Sequence, residues 1–292
     1  GLINNWDINV IPLNVSRDLN TLNTIFQAQQ NYKPYTQFGS VNLFSNFGHN
    51  SYHAGTFRVE KRFDRGLSFN TFYTFSKTIT ETESETGDNG ITFYNRRLEK
   101  GRANYDITHR MVGVLAWELP FGRGRKFFSN AGWANHAIGG WELTMTQTLQ
   151  SGPPFTVGFG GSPNRYLAGE SRPNIVTSLA DAYTPNWTIG PNRFPFAAQT
   201  PYLKQSSFAY PAAFTPGTLG RNTFEGPGLN WTQLSLAKWW TFAEKYRFQL
   251  RFDANNFPFK QPQYNAPDAT YNLNNQGAFA RISGTRGAFS DV

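Results

Sequence analysis

The sequence predicts an all-β chain, an antiparallel meander of about six strands forming part of a transmembrane β-barrel. Three observations predict it. Six stretches alternate apolar and polar residues with period two, which points successive side chains to opposite faces of a sheet. The stretches come in three pairs with long connections between pairs, and two of the pairs are joined by only a few residues. Tight turns at one rim and long loops at the other are the layout of a membrane barrel seen from the side. Finally, 27 Phe, 13 Tyr and 8 Trp are present, and several stand at stretch ends, where amphipathic rings meet a membrane–water boundary.

The first stretch spans about Tyr52 to Phe63. Phe57 and Val59 fall on one face, with Arg58, Glu60 and Arg62 on the other. Asp64-Arg65-Gly66 turns the chain, since Gly accepts the positive φ of a tight hairpin. The second, Leu67 to Thr78, sets Phe69 and Phe75 against Ser68, Asn70 and Ser76. The third, Arg110 to Leu119, puts Met111, Leu115 and Trp117 opposite Val112, Val114 and Glu118. The fourth, Trp141 to Gln150, sets Leu143 and Met145 against Thr144 and Thr146. The fifth, Leu229 to Thr241, is mixed, with Leu234, Leu236 and Trp240 opposing Gln233 and Ser235. The sixth is the cleanest: Tyr246, Phe248, Leu250 and Phe252 oppose Arg247, Gln249, Arg251 and Asp253.

Each run has about ten residues, enough for a tilted strand to cross the hydrocarbon core. No apolar run approaches the roughly eighteen residues of a spanning helix. The mean hydropathy of −0.51 is compatible with a barrel, whose lumen and loops are polar. The expected lipid-facing set is Phe57, Val59, Phe69, Phe75, Leu115, Leu143, Leu234, Leu236, Phe248, Leu250 and Phe252. Trp117, Trp141, Trp231, Trp240 and Tyr246 are the expected rim aromatics. The expected concave, lumen-facing wall carries Arg58, Glu60, Arg62, Thr144, Thr146, Arg247, Gln249, Arg251 and Asp253. A soluble β-sandwich with an aromatic core is the competing fold, but it would show short turns at both ends.

In this reading residues 1–51 are a preceding loop, 52–78 a hairpin, 79–109 an outer loop and 110–150 a strand pair. Residues 151–228 are a long outer loop, 229–256 a hairpin, and 257–292 an outer loop leading to an absent last strand. Loops this long are binding elements or lids, or carry no fixed structure. Their aromatics among amides suit either sugar contact or ordinary packing. The connection 120–140 holds a basic turn, Gly122-Arg123-Gly124-Arg125-Lys126, which reads equally as a solvated rim turn or as a contact for headgroup phosphates.

The formal charge of +8 is spread over turns, loops and one strand face, which does not make a nucleic-acid footprint. The absence of Cys rules out disulfides and thiolate metal sites in this chain. His49 and His53 are four apart, which on an extended chain separates them by about 13 Å, too far to share a metal. Asp106 and His109 lack a nucleophile elbow, and Gly158-Phe159-Gly160-Gly161 lacks the strand–helix setting of a phosphate loop. No cofactor and no enzymatic activity are expected.

A series of segments also carries a resemblance. In order they are Tyr52-His53-Ala54-Gly55, Gly66-Leu67-Ser68-Phe69 and Asp106-Ile107-Thr108-His109-Arg110. Glu118-Leu119-Pro120-Phe121-Gly122-Arg123-Gly124 and Leu149-Gln150-Ser151-Gly152-Pro153-Pro154-Phe155 follow, and then Arg247-Phe248-Gln249-Leu250-Arg251-Phe252-Asp253-Ala254-Asn255-Asn256-Phe257. Together they resemble the C-terminal barrel of TonB-dependent outer-membrane receptors, of the Oar-like type found in Acidobacteria and relatives. That type bears a carboxypeptidase-regulatory-like N-terminal domain. The resemblance implies a bacterial outer-membrane location and a barrel filled by an N-terminal plug absent from this chain. It also implies import of an unknown ligand, driven by the TonB complex. A surface adhesive protein and a passive porin are the alternatives.

Overall fold

A computed structural model of the chain describes residues 2–9, 33–82, 95–130, 132–159, 172–187, 200–212, 216–242, 245–261, 264–268, 270–271, 279–282 and 284. Six long strands form its main sheet: β3 (Asn50–Asp64), β4 (Leu67–Thr80), β6 (His109–Glu118), β7 (Trp141–Gln150), β13 (Leu229–Phe242) and β14 (Tyr246–Gln261). They run in the order β14-β13-β7-β6-β4-β3, each antiparallel to its neighbours, as the expected meander. A short strand β5 (Gly101–Arg102) adds to the outer end of β4. The sheet is not closed: among the described residues, the outer edges of β3 and β14 have no partner strand.

Local chemistry sets the hairpins. Asp64 pairs with Leu67, leaving Arg65 (φ 52°) and Gly66 (φ 83°) as a two-residue turn with two positive φ angles. Such a turn matches the right-handed twist of the flanking strands. Directly paired residues share a face, so register fixes the faces of the whole sheet. One row reads Phe69, Leu115, Met145, Leu234, Ala254; its neighbour reads Leu67, Trp117, Leu143, Leu236, Phe252. All eleven residues expected toward lipid fall on this single apolar face. Phe57 is 70% exposed and Phe252 56%, so at these positions no described residue covers that face.

The opposite face carries Arg58, Glu60, Asn70, Thr144, Thr146, Ser235, Arg247, Gln249, Arg251 and Asp253. Phe72, Val112 and Val114 also lie on it, so β6 is apolar on both sides. Two residues depart from expectation. Trp231 pairs with Thr148 and therefore sits on the polar face, away from Trp117, Trp141, Trp240 and Tyr246. Arg62 falls where the β3–β4 register shifts between Lys61 and Asp64, outside the regular alternation.

The row Thr71–Gly113–Gln147–Thr232 crosses the sheet. From it, the strands run on to Leu67, then to Glu118, then to Phe242 before turning, so each hairpin reaches further than the last. This stagger is the tilt that barrel closure requires.

Three elements differ from the sequence reading. Residues 1–51 hold β1 (Leu2–Asp7) paired antiparallel with β2 (Asn42–Gly48), and β3 already begins at Asn50. Residues 2–7 do not alternate, and their partner lies far along the chain, so no period marked them. β14 continues to Gln261 through a bulge: the ladder steps from Gln233↔Asn255 to Trp231↔Lys260. Asn256 takes φ 58° there, and Pro258, which has no N–H to give a ladder, falls in the skipped stretch. The 151–228 connection is folded in its described parts. It contains β8 (Pro154–Phe155), β9 (Gly158–Phe159), β10 (Asn174–Ile175), β11 (Phe208–Ala209) and β12 (Phe224–Glu225), and β9 pairs with β15 (Thr270–Tyr271).

Candidate functional site

The hydrophobic core lies in the outer loops rather than in the sheet. Phe155, Val157, Ala182, Leu203, Phe208, Leu219, Phe224, Phe279 and Ala280 pack together, with Tyr183 and Tyr202 against them. Phe224 anchors the cluster edge-on to Tyr183 and Phe208, at 5.6 Å in each case. Aromatic burial of this size holds short two-residue strands that propensity alone would not.

This folded cap overhangs the polar face. On β4 the even-numbered residues Ser76, Thr78 and Thr80 belong to that face and are buried, whereas Phe75 and Lys77 on the apolar face are exposed. The covering groups come from two loops. Ser76 Oγ donates to Ile107 O (2.8 Å), the Thr78 N–H donates to Asp106 Oδ1 (2.7 Å), and Arg221 donates to Thr80 O (2.6 Å). The cap is thus a roof over the outer end of the polar wall.

Two arginines tie the first outer loop to the long one. Arg172 donates to Leu98 O (2.7 Å) and to Glu99 Oε2 (3.0 Å), and both side chains are almost fully buried. Arg102 donates to Asp106 Oδ2 (2.8 Å), Glu225 Oε2 (3.1 Å) and Thr108 Oγ1 (2.7 Å). Asn222 completes the joint, giving its amide to Arg102 O and accepting from Thr156 Oγ1. Asp106 thus accepts from both the Thr78 N–H and Arg102. The backbone of Glu225 also receives two phenols: Tyr202 donates to Glu225 O (3.0 Å), and the Glu225 N–H donates to the Tyr183 hydroxyl (2.9 Å). Burial raises the pKa of both tyrosines above the ordinary phenol value, and the Glu225 charge adds to it.

Below the roof, the polar wall carries two ion pairs on its outermost strands. On β3, Arg58 meets Glu60 (2.7 Å) and reaches Asn70 of β4 (3.0 Å), with its guanidinium 5.1 Å from the Phe72 ring. On β14, Arg251 meets Asp253 (2.8 Å) and Ser235 (3.0 Å). All four charged side chains remain about half exposed, so each arginine is held in place yet open to a partner. Arg247 and Gln249 share that face.

Sequence reasoning found the wall but missed the roof. In the first outer loop, Glu81 bridges to Arg96 (2.7 Å), while the nearby acidic residues Glu83, Glu85 and Asp88 lie outside the described residues. His49 approaches Glu81 (3.5 Å), and His53 lies elsewhere, on the apolar face of β3. Among the described residues no group of three or more His, Cys, Asp or Glu side chains is placed to hold a metal. Likewise no described helix is long and apolar enough to cross a membrane.

The geometry agrees with a comparison of sequences. The family model described as an outer membrane beta barrel domain matches residues 2–290. No curated protein and no solved structure matches the chain.

Proposed function

We propose, from the premise that this chain belongs to the outer membrane beta barrel domain family, that it forms wall and roof of an energised import receptor. The chain resides in the outer membrane by that membership. The apolar face meets lipid, and the β3 and β14 edges continue into further strands, because open edges have no stable place in a bilayer. In this reading an N-terminal plug fills the lumen and docks on the polar wall. The TonB complex pulls on that plug, and the protein performs no covalent chemistry.

One observation carries the proposal: a folded roof, latched by the Arg102–Glu225 and Arg172–Glu99 pairs, covers the outer end of a wall bearing half-exposed arginine–carboxylate pairs. A passive pore would leave that end open. A roof over a charged wall suits capture of a ligand followed by controlled passage. The resemblance to TonB-dependent receptors supports the same reading. Specificity resides in loops and plug, so the ligand class stays open.

The test is conductance together with mass. The native polypeptide, extracted from the outer membrane, is expected to exceed the 33.0 kDa of this chain. In a planar bilayer it is expected to pass no steady ion current. Steady current would replace import with a passive porin. A closed barrel without a plug-sized N-terminal region would favour an adhesive surface protein.

A further inference from the structure

The connection between β6 and β7 belongs to neither wall nor roof, yet it is built. Its one-turn helix, Asn135–Ile138, is strapped to the apolar face by three side chains of that face. Trp240 Nε1 donates to His136 O (2.9 Å), and Trp141 Nε1 donates to Ala137 O (2.8 Å). The Lys238 ammonium donates to Ala137 O (3.1 Å) and Gly139 O, lying 5.1 Å from the Trp240 ring and 5.5 Å from that of Trp141. A lysine on a lipid face thereby finds carbonyl acceptors and aromatic faces in place of water.

The basic turn is fixed to this helix. Asn135 Oδ1 accepts from the Arg123 N–H (2.5 Å), and the turn closes on itself through Arg125 N–H to Gly122 O (3.0 Å). Glu118 neutralises Arg125 at 2.5 Å. Arg123 and Lys126 keep exposed heads. Beside them Phe127 and Phe128 are exposed, and Trp133 is 86% exposed. An element bound to the apolar face of a membrane sheet, at the rim of the short turns, sits at the bilayer boundary. Bare aromatics beside cations are what that boundary stabilises.

We propose that residues 120–138 are a membrane-surface anchor for anionic phospholipid of the leaflet at the short-turn rim. Phe127, Phe128 and Trp133 enter the headgroup–acyl boundary, and Arg123 and Lys126 meet the phosphates. The anchor rests on the lipid-facing assignment of the apolar face and is independent of import.

The test uses the protein carrying this chain in lipid nanodiscs, with and without phosphatidylglycerol. The chain has no Cys, so Trp133→Cys accepts a single spin label within it. Power saturation is expected to show the label reached by oxygen and shielded from a water-soluble nickel chelate. Ser129→Cys gives the same reading if the first variant does not insert. The double variant Arg123→Gln/Lys126→Gln is expected to hold phosphatidylglycerol about 30-fold more weakly by native mass spectrometry, from two surface cations. A label as open to the chelate as one on a free peptide overturns the anchor. So does unchanged lipid retention in the double variant.

Discussion

Neutralising one partner of the Arg172–Glu99 pair should open the roof without touching the barrel. In Glu99→Gln the carboxylate at 3.0 Å from Arg172 is lost, while the guanidinium remains buried at 2% exposure. Removing one member of a buried pair costs about 3–5 kcal/mol, because the other charge stays desolvated. At about 1.4 kcal/mol per tenfold, local opening becomes roughly two to three and a half powers of ten more frequent. Hydrogen exchange reads this directly. The reporters are the Leu219 N–H, bonded to Pro173 O, and the Val176 N–H, bonded to Ser207 O. The control is the ladder between β7 and β13. Exchange at the reporters is expected to accelerate by that factor, with the control unchanged. The double variant Glu99→Met/Arg172→Met should recover most of the protection, since apolar replacement of a buried pair is commonly neutral. Reporters that stay slow in Glu99→Gln would show that the pair does not hold the roof. A double variant as open as the single would refute uncompensated charge as the cause.

Other perturbations follow from the same contacts. At Gly152 an added Cβ runs into the backbone carbonyl of Gly226, where the chain leaves β7 for the cap. Gly152→Ala should therefore cost about 1–3 kcal/mol or more, seen as faster proteolysis of residues 151–228 with an intact barrel. Tyr183 and Tyr202 have folded pKa values above the ordinary 10.0, so the folded cap binds protons that the opened cap releases. Their contribution to cap stability is complete below pH 10 and is lost as pH rises from there toward the folded values, measurable by hydrogen exchange against tyrosinate absorbance. Arg251→Glu places a carboxylate beside Asp253 and removes the donor to Ser235 Oγ. It is expected to impair uptake while leaving heat-modifiable barrel insertion intact; unchanged uptake would count against a plug-docking role.

What the sequence disclosed follows from the range of its signals. Period two is local, so the faces of β3, β4 and β14 were legible from Phe57, Phe69 and Phe248 alone. Register then propagated them across the sheet, because a slip of one residue would invert every face. The polar face of β6 was legible too, although Val112 and Val114 blur it. Trp231 escaped because the β13 pattern is mixed where it begins, and only its pairing with Thr148 reveals its side. The bulge in β14 displaced the strand end for a similar reason: Asn256 breaks phase, and the strand resumes beyond it.

The roof was illegible on different grounds. Its joints link residues far apart in the chain, such as Arg221 with Thr80 and Arg172 with Glu99. Its strands are two residues long and carry no period. The local clues were the paired breakers Gly152-Pro153-Pro154 and Gly226-Pro227-Gly228, which flank the excursion and meet in space. Closing such an excursion costs only about 0.6 kcal/mol more for each doubling of its length, so a long one is tolerated almost as well as a short one. The sheet can thus support a roof with its own core, and sequence variation inside that roof can accumulate without disturbing a strand.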